Sequence, residues 1–199
     1  MATATNVPPT LDLRHGIRNW GMLGNDIDGD CVPAAESHLE MVHNVATAST
    51  WKRLLYRTGF VVPTTTTTLD DYAAYLATVN LKPGPYQGTS VAGYLGWLKE
   101  QGKITSLENI TDLSEASIRA AMVQWTGVSL TLTLTQRAYD EWDTEKPWTL
   151  NPGEVPADLW HEVACVQYGQ NYGVVTWGRM KTMTPGFLRA CVKECWGFA

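Results

Sequence analysis

Apolar positions along this chain recur with two different periods, and the switch from one to the other divides the sequence. Between Val32 and Ala46, the residues Ala35, Leu39, Val42 and Ala46 fall on one helical face. Pro33 sits where the first turn of that helix would be, a place where a missing N–H costs nothing. A long helix starting at about Cys31 is predicted. Ser49 to Tyr56 predicts a shorter one. The run Thr64 to Thr68 is β-prone, but Thr68 with Asp71 three residues on reads as the N-cap of a helix reaching about Ala77. Val91 to Gln101 predicts a further helix, stopped by Gly102. Another begins at Ser114 or Ser117 and runs through Trp125.

From Gly127 the period becomes two. Val128 to Leu134 alternates apolar and hydroxyl residues, the pattern of a half-buried strand. His161 to Tyr168 and Tyr172 to Trp177, joined by Gly169-Gln170-Asn171, predict a hairpin. Between them, Tyr139 to Leu159 is rich in Trp, Pro and acid, and a loop of that length is usually functional. Thr184 to Trp196 reads as a closing amphipathic helix. Helices first and strands later, with no internal repeat, predict an α+β domain. Its expected division is a mainly helical lobe over 1–110 and a mainly strand lobe with a C-terminal helix over 111–199, with the cleft between them.

Composition narrows the function classes. A chain of 199 residues suits one domain with a sizeable core. Charged residues are 18%, below the roughly 25% of an average domain. Nine Trp and eight Tyr supply much amphipathic surface, enough for some rings to face a protein partner or a larger assembly. The net charge of -5, without clustered Lys or Arg, excludes nucleic acid and acidic phospholipid as partners. No apolar run is long enough to span a bilayer. Met1 to Pro9 lacks the basic and apolar regions of a signal peptide. The four cysteines (Cys31, Cys165, Cys191, Cys195) are too few and too uneven for a disulfide framework, which points to a reducing compartment such as the cytoplasm.

Two residues carry the candidate chemistry. Cys31 follows a glycine-containing loop and opens the first predicted helix, where free N–H groups and the helix dipole favour a thiolate. The plainer reading is a small buried hydrophobe, and the neighbouring Asp30 raises a thiol's pKa. His161 opens a predicted strand 130 positions later, which fits the Cys-to-His spacing of about 130 to 150 residues in one cysteine-peptidase order. His38 lies about 10 Å along the helix from Cys31 and His43 further, so both are poorer bases; His15 is expected at the surface. Asp26, Asp28 and Asp30 alternate like a calcium loop, but the sixth position is Cys31 and the twelfth Ser37, which breaks it. Cys191 and Cys195, placed on one helix face, lack a second ligand pair. No metal and no cofactor is expected.

These pieces, in this order, resemble the papain-like cysteine peptidases. Leu11-Asp12-Leu13-Arg14 through Gly29-Asp30-Cys31 is similar to that family's start, with Asn25 six residues before Cys31 where the family places an oxyanion-hole glutamine. The helix ending at Trp125 with Gly127-Val128-Ser129-Leu130, then His161-Glu162-Val163 and Thr176-Trp177-Gly178, resembles its later half. The resemblance implies a thiol hydrolase acting on a peptide or protein. Cys31, His161 and Asn25 would be catalytic, and Trp177, Trp160 and Gly29 would bind substrate. It departs at the asparagine that orients the family's histidine, whose place is taken by Val175. Thr176 carries a hydroxyl, but strand alternation predicts that it looks away from His161. The family's Cys-Gly-Ser-Cys-Trp is here Asp28-Gly29-Asp30-Cys31-Val32, the strand after Trp-Gly is predicted as helix, and no pro-segment is expected. More narrowly, the chain resembles short papain-fold proteins of actinobacteria and their phages. That leaves a second expectation open, an inert structural or binding protein such as a phage virion component.

Overall fold

The computed structural model describes residues 6–57, 65–85 and 87–199. Met1 to Thr5, part of the stretch read for a signal, and Thr64, the start of the threonine run, lie outside them. The chain opens with the short strand β1 (Leu11–Asp12) and then forms four helices: α1 (Cys31–Thr47), α2 (Thr50–Arg57), α3 (Thr65–Thr78) and α4 (Val91–Glu100). There follow β2 (Leu107–Asn109), α5 (Glu115–Trp125), β3 (Val128–Leu134), α6 (Gln136–Asp140), β4 (Leu159–Tyr168), β5 (Tyr172–Thr176), β6 (Arg179–Met183), α7 (Pro185–Cys191) and β7 (Val192–Phe198). The architecture is the expected α+β, helical first and antiparallel later.

All strands form one antiparallel sheet in the order β2-β7-β3-β4-β5-β6, with β1 paired to the far end of β4 beyond the last residue held by β3. Strand alternation divides its side chains between two cores. Ala164, Val166, Val175, Trp196 and Phe198 face α1 and pack with Leu39, Val42 and the apolar sides of α3 and α4. Leu130, Leu132, Val163, Cys165 and Val174 face the other way, against Ile118 and Met122 of α5 and Phe187 of α7. Ser114 caps α5 by accepting the Ser117 N–H, and Ser90 caps α4 by accepting that of Gly93.

Four expectations change. β3 is buried along its whole length, not on one side, because the face that carries Ser129, Thr131 and Thr133 is covered as well as the apolar one. The helix expected from Thr184 to Trp196 stops at Cys191, and Val192–Phe198 enters the middle of the sheet between β2 and β3. Its alternation of Val192, Cys195, Trp196 and Phe198 across the two cores outweighs the helical reading, so Cys191 and Cys195 sit on different elements. β6 occupies the place after Trp177-Gly178 where a strand had seemed absent. The threonine run is helical from Thr65, and Thr68 is a buried residue of α3 bonded to Ser37 at 3.0 Å, not a cap. The Trp-rich loop is tied down by Trp148, whose backbone bridges to β6 and whose Nε1 donates to the Ala138 carbonyl at 2.9 Å. Among the described residues no helix is long and apolar enough to cross a membrane.

Leu130, fully buried in the central strand, tests this layering. Leu130→Ala is expected to lower the unfolding free energy by about 2–5 kcal/mol. Exposed Thr182→Ala should stay within about 0.5 kcal/mol. Urea titration of both variants checks the difference.

Candidate active site

The loop before α1 brings Cys31 to the sheet. Gly24 takes a left-handed φ of +102°, and a Cβ there would sit 2.5 Å from Leu69 and 2.7 Å from the Asp30 carboxylate, so only glycine lets the loop close over Asp30. The Gly29 N–H donates to the Gly84 carbonyl at 3.0 Å. Asp30 occupies the N-cap position without making a side-chain cap bond, and it is fully buried. Cys31 is then the first residue of α1, as expected, and its sulfur receives the backbone N–H groups of Val32 and of Glu162 on β4.

These donors and the helix terminus favour a thiolate, but they lose. Burial first, then the carboxyls of Glu162 and Asp30, push the Cys31 thiol up to about 11. The same burial, with Asp28 and Asp26 nearby, raises Asp30 to about 7. The resting sulfur is therefore a thiol, contrary to the expectation drawn from the helix dipole.

His161 lies near the start of β4, opposite Leu132 of β3. Its ring stacks on Trp177 with centroids 4.0 Å apart and planes 9° from parallel. Its Nε2 meets Thr176 Oγ1 at 2.6 Å. This corrects the expectation that Thr176 looks away. Alternation holds, but it is Val175 that faces α1, while Thr176 shares the face of His161. Trp177 and Gly178 form the two-residue turn between β5 and β6, with φ of +42° and +71°. Left-handed backbone is costly for a tryptophan and recurs at functional sites; here it lays the indole flat on the imidazole. Burial alone pushes His161 down to about 3, so the resting ring is neutral.

Cys31 and His161 line one cleft of about 370 Å³, whose far wall is Gly88–Val91. Trp160 stands at its mouth, 58% exposed, donating from Nε1 to Asp158 at 2.5 Å. The floor is a row of direct cross-strand neighbours, Glu162 on β4, Thr131 on β3 and Glu194 on β7. Glu162 is buried and accepts hydroxyl hydrogen bonds from Ser129 at 2.5 Å and Thr131 at 2.6 Å. Burial outweighs these bonds and lifts its carboxyl to about 8. Glu36 of α1, also buried, is raised well above the usual range by burial and by Glu162.

Three of the six expected site residues, Cys31, His161 and Trp160, thus meet in the cleft, and Trp177 touches it through His161. Gly29 packs against Gln87 outside the lining, where an added Cβ would sit 2.9 Å from a carbonyl. Asn25 is half-buried in the preceding turn, its N–H donating to Met22, and its side chain is not part of the lining. Buried His38 bonds the Trp20 and Gly21 carbonyls, and His43 that of Trp125. His15 is half-buried. Among the described residues no group of three or more His, Cys, Asp or Glu is placed to hold a metal ion. Thr176, Glu162, Thr131 and Glu194 were not singled out from sequence. The first was legible from strand parity once the hairpin register is known, the others only from pairing across three strands.

No protein-family model and no curated protein matches the sequence. Solved structures do match. Xylellain, a cysteine protease from Xylella fastidiosa, shares 10% identity over 96% of this chain and 86% of its own, with a TM-score of 0.56. The ragweed pollen cysteine protease Amb a 11, in its proform, shares 15% over 99% of this chain and 68% of its own, at 0.57. The Carica candamarcensis cysteine protease CMS1MS2, in complex with E-64, shares 14% over 97% and 99%, at 0.53. The fold is papain-like.

Two outcomes follow from this geometry. Thr176→Val removes the partner of a buried ring nitrogen and should cost about 1–3 kcal/mol, while Thr176→Ser should recover most of it; chemical denaturation and the His161 ring ¹⁵N shifts report both. Stability should also fall as pH rises from about 6.5 to 8. The Glu162 and Asp30 carboxyls hold protons in the folded chain up to about 8 and 7 and release them when it unfolds, so folding binds protons in that window. Glu162→Gln should flatten the slope, measured as unfolding free energy against pH.

Proposed function

We propose that this chain is a papain-like thiol hydrolase, a peptidase or amidase, with Cys31 as nucleophile and His161 as its base. The observation that carries the reading is the sharing of one cleft by the sulfur and an imidazole that is itself held by Thr176 and Trp177. Among the described residues Nδ1 of His161 has no hydrogen-bond partner, and Thr176 accepting from Nε2–H leaves Nδ1 free as the base. Because thiol and imidazole are both neutral at rest, attack is base-assisted: His161 takes the thiol proton as sulfur bonds to the substrate carbonyl carbon. The amide C–N bond breaks, the leaving amine takes that proton, and a thioester remains. Water, deprotonated by His161, then releases the acid and restores the thiol.

The developing oxyanion falls to the Cys31 N–H, which has no partner within the helix. Trp160 and Trp177 give the substrate apolar surface, and Gly29 shapes the loop ahead of Cys31. A second reading is a papain-fold structural or binding protein akin to those of actinobacteria and their phages; a thiol raised to about 11 by burial suits it, but the structural neighbours, cysteine proteases, do not favour it. Its support is otherwise the sequence alone.

Alkylation by iodoacetamide across pH decides between them. The expected result is modification at Cys31 ahead of Cys165, Cys191 and Cys195, all of which are buried. The rate at neutral pH should drop about tenfold or more in His161→Ala, in line with general-base effects of 10²–10⁴. A rate that is insensitive to His161, or no modification of Cys31, overturns the hydrolase reading and leaves the structural one.

A further inference from the structure

We propose that a second cavity, between α1, α4 and the end of β7, binds a short aliphatic diamine whose two ammonium groups pair with Glu36 and Glu40. The inference stands apart from the hydrolase reading, because this cavity and the cleft share no lining residue.

The cavity encloses about 270 Å³. Tyr94, Leu98, Ile104 and Phe198 form its apolar side, which suits methylene groups. Its polar side is α1, which contributes Glu36 and, one helical turn on, Glu40, about 6 Å away along the axis. Glu36 is 4% exposed, and among the described residues neither of its carboxyl oxygens has a hydrogen-bond partner. The Ser129 hydroxyl beside it has a single hydrogen and gives it to Glu162 at 2.5 Å. An enclosed carboxyl without a partner is unfavourable, and here it stands in the wall of a space that a donor can enter. Glu40 lies exposed at the rim, where Asn44 donates to its Oε1 at 3.4 Å and leaves Oε2 open.

The rest of the lining offers acceptors in excess of donors. Lys103, the one cation lining the cavity among the described residues, is held by both carboxylate oxygens of Asp71 of α3 at 2.5 Å. Burial lowers the pKa of His43, and its neutral ring donates from Nε2 to the Trp125 carbonyl at 2.8 Å, so Nδ1 is a further acceptor. Ser37 is paired with Thr68 at 3.0 Å. Burial, then Asp71, push the Tyr94 hydroxyl up, so it carries no charge. An anionic ligand would find no unclaimed cation here, whereas a diamine brings only donors and the missing charge. Glu36 itself rests protonated, raised by burial and by Glu162 of β4. An ammonium group that pairs with it therefore displaces one proton: the carboxyl ionises, the N–H···O contact forms, and the proton passes to solvent.

Isothermal calorimetry with 1,4-diaminobutane, its neutral counterpart 1,4-butanediol, and succinate tests the site. The diamine is expected to bind saturably and roughly 10- to 100-fold tighter than the diol, as charge-assisted contacts to carboxylates imply, with succinate weakest. Titrations near neutral pH in buffers of different ionisation heat should show release of about one proton as Glu36 ionises. Glu36→Gln should weaken the diamine about tenfold or more and remove the proton release. Glu40→Gln, at an exposed position where folding is not at stake, should weaken it several-fold, while Glu145→Gln, exposed in the Trp-rich loop, should leave it unchanged. No saturable diamine binding, equal affinity for diamine and diol, or binding indifferent to Glu40→Gln overturns the inference. So does a folded Glu36→Gln protein that still binds the diamine at full strength, or a loss in Glu145→Gln as large as that in Glu40→Gln, which would mark mere attraction to an acidic protein.

Discussion

The crossing of α1 over β4 governs this structure. Leu39 and Val42 on the helix press against Ala164, Val166 and Val175 on the sheet, each large aliphatic contributing about 1.5–3 kcal/mol by leaving water. Because helix and strand are long and rigid, their crossing also fixes what happens at the N-terminal end of α1. The Cys31 sulfur is carried against the His161–Glu162 backbone and receives the Glu162 N–H. The cleft is the place where this packed interface stops being apolar.

The sheet face under α1 changes character along its length. Towards β5 it is Ala164, Val166 and Val175; towards the cleft it becomes Ser129, Thr131, Glu162 and Glu194. Buried polar groups of this kind need internal partners, and the two hydroxyl bonds to Glu162 supply part of that need. The remainder appears as shifted titration. Glu162, Glu36 and Asp30 are raised by burial, and His161 is lowered by it. Low dielectric, not charge pairing, sets the protonation of this site, which is why thiol and imidazole both rest uncharged.

The papain-like fold survives with different details. The histidine is oriented by a threonine hydroxyl from the neighbouring strand position, and by an indole held flat against it by a strained two-residue turn. Gly178 completes that turn against the Gly21 backbone, where an added Cβ would come within 3.1 Å. The loop before Cys31 and the turn beside His161 are therefore packed together, and the geometry of one constrains the other.

The sequence by itself determined most of the helices and the hairpin, because those depend on local signals: caps such as Ser114 and alternation in β4. It did not determine the fate of Val192–Phe198, since a short apolar segment satisfies helix and strand periods equally and only the open position between β2 and β3 chooses. Nor did it determine the role of Thr176, for alternation states that Val175 and Thr176 face opposite ways but not which way. The hairpin register decides that. The acidic floor was hidden for the same reason: Glu162, Thr131 and Glu194 are 31 or more positions apart in the chain and adjacent only across three paired strands. Protonation was decided last and entirely by tertiary structure, because desolvation belongs to the folded chain and reversed the thiolate that a helix N-terminus alone implies.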